Sequence, residues 1–281
     1  MVPQAIVDSG VSVQVGVHDD TLWHKSKIWR FPSIVRSYPI AETQFEVGNA
    51  FGGPIFLASP PDAPLGSTWV EFRGAVEAPM YQHGTTSFSE WQSIRNRSAP
   101  WAEISSDQFI MSVPSSEIRG LDDPEELMDF WVEALEMEHE LYGFMPWPRI
   151  ERAAFDIQIS AGWMHSGYPF MAHLVSAQEA VDLEHMESEG SWGMFHELGH
   201  NHQWNPSRLP GTTEATCNFA SVYLMEDLVG RDLGHSALSP QQRHQRMESY
   251  FQGGADIDDW SVWTALDTYL IIKEEWGWAV S

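Results

Sequence analysis

The segment Phe195-His196-Glu197-Leu198-Gly199-His200-Asn201-His202-Gln203, followed by Glu214, constrains the fold more than any other part of the chain. Two histidines four residues apart share one face of an α-helix, so both imidazoles can reach a single metal ion. Glu197 stands beside the first of them and leans toward the same face, within reach of a water activated by that metal. A third protein ligand would complete a zinc site with one position left open for water or substrate, and Glu214 is the natural candidate.

The surroundings favour that geometry. Gly193 and Gly199 allow close approach by neighbouring backbone. A loop rich in Pro and Gly, Asn205 to Gly211, ends the first helix and reverses the chain. Thr212 or Thr213 caps a second helix that runs to about Val229. On it Glu214, Asn218 and Ser221 form a polar stripe, while Phe219, Val222, Tyr223 and Leu228 supply apolar surface. Asn218 is placed to accept a hydrogen bond from the free ring N–H of a ligand histidine. Cys217 lies beside it, and Glu214 has the better position for a ligand, so the cysteine reads as a small buried apolar residue.

The chemistry this pattern supports is hydrolysis. Zinc lowers the pKa of water and polarises a carbonyl, while Glu197 serves as general base and then general acid. A tetrahedral oxyanion gains from a further donor, for which His165 and Tyr168 are the first candidates and His173 and His202 the next. The chain reads as a zinc-dependent hydrolase, with peptidase the leading reading.

A length of 281 residues accommodates one large domain or two modest ones. The net charge of −25 argues against nucleic acid and anionic membrane surfaces as partners, because both require basic patches. One cysteine excludes an internal disulfide framework. Met1-Val2-Pro3-Gln4 has no basic region, no long apolar stretch follows, and no window reaches membrane-spanning length. Fourteen tryptophans and seven tyrosines suggest stacking on sugar rings, although most such side chains serve packing in any fold.

The first hundred or so residues are β-rich. Val11, Val13, Val15 and Val17 alternate with small or polar residues, and Ile55-Phe56-Leu57 and Thr68-Trp69-Val70-Glu71-Phe72 are further short strands. Turns such as Gly52-Gly53-Pro54 and Ser59-Pro60-Pro61-Asp62 separate them, as in a sandwich-like unit. From Asp122 or Asp123, which cap a helix with Pro124 in its first turn, the character becomes helical. Ala154 to Ile159 reads as a strand with one polar face, and it or the stretch after it, through His173, is placed to receive a substrate backbone. Ser176-Ala177-Gln178-Glu179 is a capping box opening a helix to about Glu187, and later helices cover about Pro240 to Phe251 and Asp258 to Glu275.

These residues resemble the enhancin-like, mucin-degrading zinc metallopeptidases, peptidase family M-sixty, which also include the eukaryotic TRP-channel-associated factors. The family's H-E-x-x-H and distal glutamate are matched by His196, Glu197, His200 and Glu214. Similar stretches run from Asn49 to Ile55, Gly74 to Tyr81, Pro100 to Ile104, Gly162 to Met171, Gly190 to Gln203 and Thr212 to Asn218. W-M-H-S-G-Y-P and T-T-E-A-T-C-N look particularly like the channel-associated branch. The resemblance implies an α+β chain. A β-sandwich-like subdomain over 1–120 would be followed by a mainly helical, gluzincin-like zincin domain over 121–281. It also implies one zinc per chain on His196, His200 and Glu214, with Glu197 as base. The implied activity is that of an endopeptidase acting on O-glycosylated protein, extracellular or at the cell surface. The alternative is a non-catalytic regulatory module on the same fold, and an amidase stays open from the metal site alone. The chain starts after the family's first strand and stops while more structure is expected, so a fragment is expected.

Overall fold

Val13 and Val15 are buried while Ser12 and Gln14 are half-exposed, and this alternation makes β1 (Ser12–Val15) the middle strand of a small sheet. It pairs antiparallel with β2 (Arg36–Pro39) on one side and β3 (Ile55–Ala58) on the other. Val2 and Ile6, the latter on the short α1 (Gln4–Val7), close a core with Val11, Val13, Val15 and Ile40. Thr68–Phe72 does not become a strand. Val70 packs on this core, and among the described residues the segment's backbone pairing joins Glu71 to Met1, with no ladder. These features come from a computed structural model that describes all residues except 8, 62, 64–65, 144–148, 205–207 and 279–281. Asp62 of one expected turn and Asn205 of the inter-helix loop lie outside the described residues.

The second sheet is larger and mixed. Its strands are β4 (Met80–Gln82), β5 (Trp101–Ser105), β6 (Phe109–Pro114), β7 (Glu151–Asp156), β8 (Met164–His165) and β9 (Phe170–His173). They lie in the order β4-β5-β6-β7-β9-β8, so strands from both sides of residue 120 share one sheet. The expected polar face on the strand near Ala154 is absent. β7 sits between two parallel neighbours and is buried at every position but Arg152. Helices cover one face, with Ala153 and Phe155 in the main core. Ala154 on the other face packs with Val17, Ile159 and Met171, and Trp101 borders that group.

α2 (Phe88–Ile94) opens with a Ser87–Glu90 capping box and buries Trp91, whose indole donates to the Leu121 carbonyl at 2.8 Å. α3 (Ser115–Ile118) is one turn. α4 (Pro124–Tyr142) begins as expected: Asp123 caps it and Pro124 occupies the first turn. Its stripe of Leu127, Phe130, Trp131, Ala134 and Leu135 lies against the sheet, and Gly143 at φ +67° ends it. Full burial of one such large side chain contributes roughly 1.5–3 kcal/mol.

The helix expected from Ser176 to Glu187 is broken in two, α5 (Ser176–Ala180) and α6 (Leu183–Ser188). No capping box forms, because Val175 is already helical and Ser176 is buried inside the turn. Asp182 instead accepts the His185 N–H and starts a new helix. α7 (Trp192–His202) and α8 (Thr213–Tyr223) follow, the latter continued by a π-helical turn over Leu224–Leu228. α9 (Pro240–Gln252) and α10 (Val262–Trp276) complete the chain. α10 starts later than Asp258 because Ile257–Asp259 forms a separate 3₁₀ turn and Ser261 caps the helix. Among the described residues no helix is long and apolar enough to cross a membrane.

Candidate metal centre

α7 and α8 approach closely because Gly199 has no side chain. A β-carbon there would lie 3.3 Å from both the Ala220 Cβ and the Cys217 Cα. Gly193 gives similar room to the Met164 side chain of β8. The approach brings the first turn of α8 to the histidine face of α7. His196 and His200 lie edge to face with ring centroids 4.6 Å apart. Glu214 Oε2 sits 3.2 Å from His196 Nε2 and 3.3 Å from His200 Nε2, and its side chain remains 51% exposed on the open side.

The other ring nitrogens explain how the histidines are oriented. His196 Nδ1 is 2.8 Å from Asn218 Oδ1, and the Trp192 indole N–H donates to the same oxygen at 3.2 Å. Two donors on one atom identify it as the amide oxygen, so His196 carries its proton on Nδ1. His200 Nδ1 lies 2.9 Å from Cys217 Sγ, and that thiol points its own hydrogen at the Thr213 carbonyl, 3.3 Å away. The sulfur therefore accepts from His200. Burial pushes the Cys217 thiol well up, which keeps it protonated and out of competition as a ligand. Burial also lowers the pKa of His196, favouring neutral imidazole. The Nε2 atoms of both histidines and one carboxylate oxygen thus converge, a donor set suited to zinc.

Glu197 is buried, with an oxygen in the same group as His196 and His200, all donor atoms within 4.8 Å of one another. Burial raises its pKa to about 7; the His165 charge pulls it back, nearby Glu214 pushes it further up, and the Ser166 backbone N–H again lowers it. A carboxylate poised there suits proton transfer at neutral pH.

His165 stands on β8, the strand at the edge of the sheet and next to α7. Its Nδ1 donates to the Ser166 carbonyl at 2.9 Å, and Nε2 faces Ser160 Oγ at 3.0 Å and Asp20 Oδ1 at 3.3 Å. Both ring nitrogens are thus committed to other acceptors, and His165 acts on Glu197 through its charge. Tyr168 is half-exposed beneath the Arg149 guanidinium, 4.5 Å from the ring centroid. His173 packs on Trp163. His202 points into the interior, 2.8 Å from Glu138 Oε2. Burial raises the Glu138 pKa well above its usual value and lowers that of His202 to about 4, so the acid donates to a neutral ring. Within the stretch expected to receive a substrate backbone, β7 has both edges paired and β8 has one free. Asp20, Ser160 and the two-bond clamp of Gly167 by the Asn201 amide were not anticipated from sequence.

A mixed sheet with an edge strand beside a two-histidine helix, crossed by an acid-bearing helix, defines the metallopeptidase class of α+β fold. Residues 74–281 match the family Peptidase M60, enhancin and enhancin-like, and residues 1–73 match the N-terminal domain of M60-like peptidases. The chain belongs to that enhancin-like peptidase family. It is 42% identical over 280 residues to a TRPM8 channel-associated factor 2 of Bos taurus, covering 98% of this chain but 31% of the relative. The chain therefore spans less than a third of that relative's length. A solved protein of unknown function from Bacillus anthracis is similar at TM-score 0.72 and 16% identity, covering 94% of this chain and 54% of the other. IMPa from Pseudomonas aeruginosa, solved in complex with an O-glycopeptide, is similar at TM-score 0.53 and 15% identity, with 85% and 32% covered. These two structures support the fold alone.

Proposed function

We propose that this chain is a zinc-dependent endopeptidase acting on O-glycosylated, mucin-like protein, with one zinc held by His196, His200 and Glu214. The observation that carries the reading is the convergence of the His196 and His200 Nε2 atoms and the Glu214 oxygen beside Glu197. When bound, zinc supplies Lewis acidity, activating water and polarising a carbonyl. Glu197 takes a proton from the attacking water and returns it to the leaving amine. The free edge of β8 aligns the substrate backbone by strand addition. Asn218 and Cys217 hold the two imidazoles in the tautomer that leaves Nε2 free. The glycosylated substrate is supported by the O-glycopeptide bound to the similar Pseudomonas protein, and an extracellular or cell-surface setting is part of the same proposal.

Mass-spectrometric mapping of products from an O-glycoprotein, with and without chelator, tests this. Chelator-sensitive peptide cleavage is expected, and cleavage indifferent to chelator would overturn it. A second reading, a non-catalytic regulatory module, is favoured by the 42% identity to a channel-associated factor. Zinc binding with no cleavage across a broad glycopeptide panel would establish that reading instead.

A further inference from the structure

The loop between β1 and β2 lies on the second sheet. Asp156, at the end of β7, is buried with its Oδ2 2.8 Å from His18 Nε2 and 2.5 Å from Arg30 Nε. Arg30 also donates to the Asp20 carbonyl at 2.7 Å. Further along, Gln158 accepts the Trp29 N–H at 2.6 Å and donates to the Lys27 carbonyl at 2.9 Å. Asp20 itself is fixed by the Arg30 bond to its carbonyl and by bonds of its own. Its N–H donates to His18 Nδ1 at 3.2 Å, and its Oδ2 accepts the Ser160 N–H at 2.7 Å.

The remaining oxygen of Asp20 faces His165. His165 in turn holds the Ser166 carbonyl, and the backbone of the same Ser166 stands near enough to Glu197 to lower its pKa. Gly167, the next residue, is clamped from α7: Asn201 accepts its N–H at 3.0 Å and donates to its carbonyl at 2.9 Å. The peptide that meets Glu197 is therefore pinned on one side by the N-terminal unit and on the other by the metal helix.

We propose that Asp20 is a positioning residue of the catalytic centre: through His165 it fixes the Ser166 peptide beside Glu197, so residues 1–73 complete the active site. This rests on the peptidase reading above. A staple between the two sheets is already provided by His18, Arg30 and Asp156, none of which needs a carboxylate on His165. Burial pushes the Asp20 carboxyl up, but bonds from His165 and Ser160 outweigh it and hold it at about 2. The Asp20 hydrogen bond is likewise the largest influence raising the His165 pKa.

Asp20→Asn in the zinc-loaded chain keeps the shape and removes the charge. Expected on an O-glycopeptide is a loss on the order of 10- to 100-fold in kcat with KM within about twofold. Zinc content should stay unchanged. At pH 6.5, the ordinary midpoint for histidine, the His165 ring nitrogens should move from the cationic toward the neutral signature, and the Ser166 and Gly167 amide resonances should shift. Gln158→Ala, which removes only the bonds to Trp29 and Lys27 and none at Asp20, should lower thermal stability and leave kcat within about twofold. An unchanged kcat or an unchanged His165 spectrum in Asp20→Asn would overturn the proposal. If the wild-type chain cleaves no glycopeptide, the peptidase reading fails instead. The positioning role is then decided by the His165 and Ser166 resonances, supported by a shift and refuted by none.

Discussion

Asn218→Leu removes the acceptor that orients His196, a proposed zinc ligand, while nearly preserving side-chain volume. Asn218 Oδ1 receives two hydrogen bonds, from His196 Nδ1 at 2.8 Å and from the Trp192 indole at 3.2 Å. Without it no acceptor holds the His196 Nδ1–H, and the ring can turn to the tautomer that donates from Nε2 to Glu214. Loss of such a partner typically costs 10–100-fold in metal affinity, about 1.4–2.8 kcal/mol at about 1.4 kcal/mol per decade. The stranded Trp192 N–H adds a stability cost of about 1–3 kcal/mol. Competition for zinc against chelators of graded affinity reads the first effect, and chemical unfolding of metal-free protein reads the second. Asn218→Asp, which keeps an acceptor and strengthens it, should bind zinc at least as tightly as wild type. Wild-type zinc affinity in Asn218→Leu would refute the account of how His196 is held.

Gly199→Ala sets alanine's helix preference, about 1 kcal/mol, against overlap of the new methyl with the α8 backbone at 3.3 Å from the Cys217 Cα. That backbone cannot yield as a flexible side chain would, so a net destabilisation of about 1–2 kcal/mol is expected on denaturant unfolding, with weaker zinc binding as Cys217 and Asn218 shift. Glu197→Gln should stabilise the metal-free chain at neutral pH. The folded value of Glu197 is about 7 against 4.5 for the free side chain, so the folded state keeps a proton that the unfolded state has lost. Stability is therefore present below pH 4.5 and lost as pH rises to about 7, at most about 3 kcal/mol and nearer 1–2 kcal/mol after solvent screening. Unfolding in chelator at pH 4.5, 6 and 8 checks this, and a mutant–wild-type difference that does not grow with pH would contradict it.

The convergence of His196, His200 and Glu214 was legible because helical spacing is local. His196 and His200 must share a face, and Glu214 and Asn218 must share the facing stripe, whatever the rest of the chain does. Cys217 was legible only as a buried residue. Its contact with His200 depends on how tightly α8 seats over Gly199, which no local pattern encodes. Asp20 left no local signal, since its partners lie on the far side of the first sheet in sequence and meet it only through tertiary packing. The strand at Ala154 misled for a related reason. Its Asp156 looks like a solvated residue until His18 and Arg30 cover it. The helix after Ser176 failed where two caps competed and Asp182 captured His185.

In the proposed mechanism Glu197 performs the proton transfers at a zinc centre built from His196, His200 and Glu214. The most direct measurement compares zinc content and O-glycopeptide cleavage in wild type and Glu197→Gln, side by side. Equal zinc with cleavage reduced about 10²–10⁴-fold is expected. Equal zinc with undiminished cleavage would contradict the account.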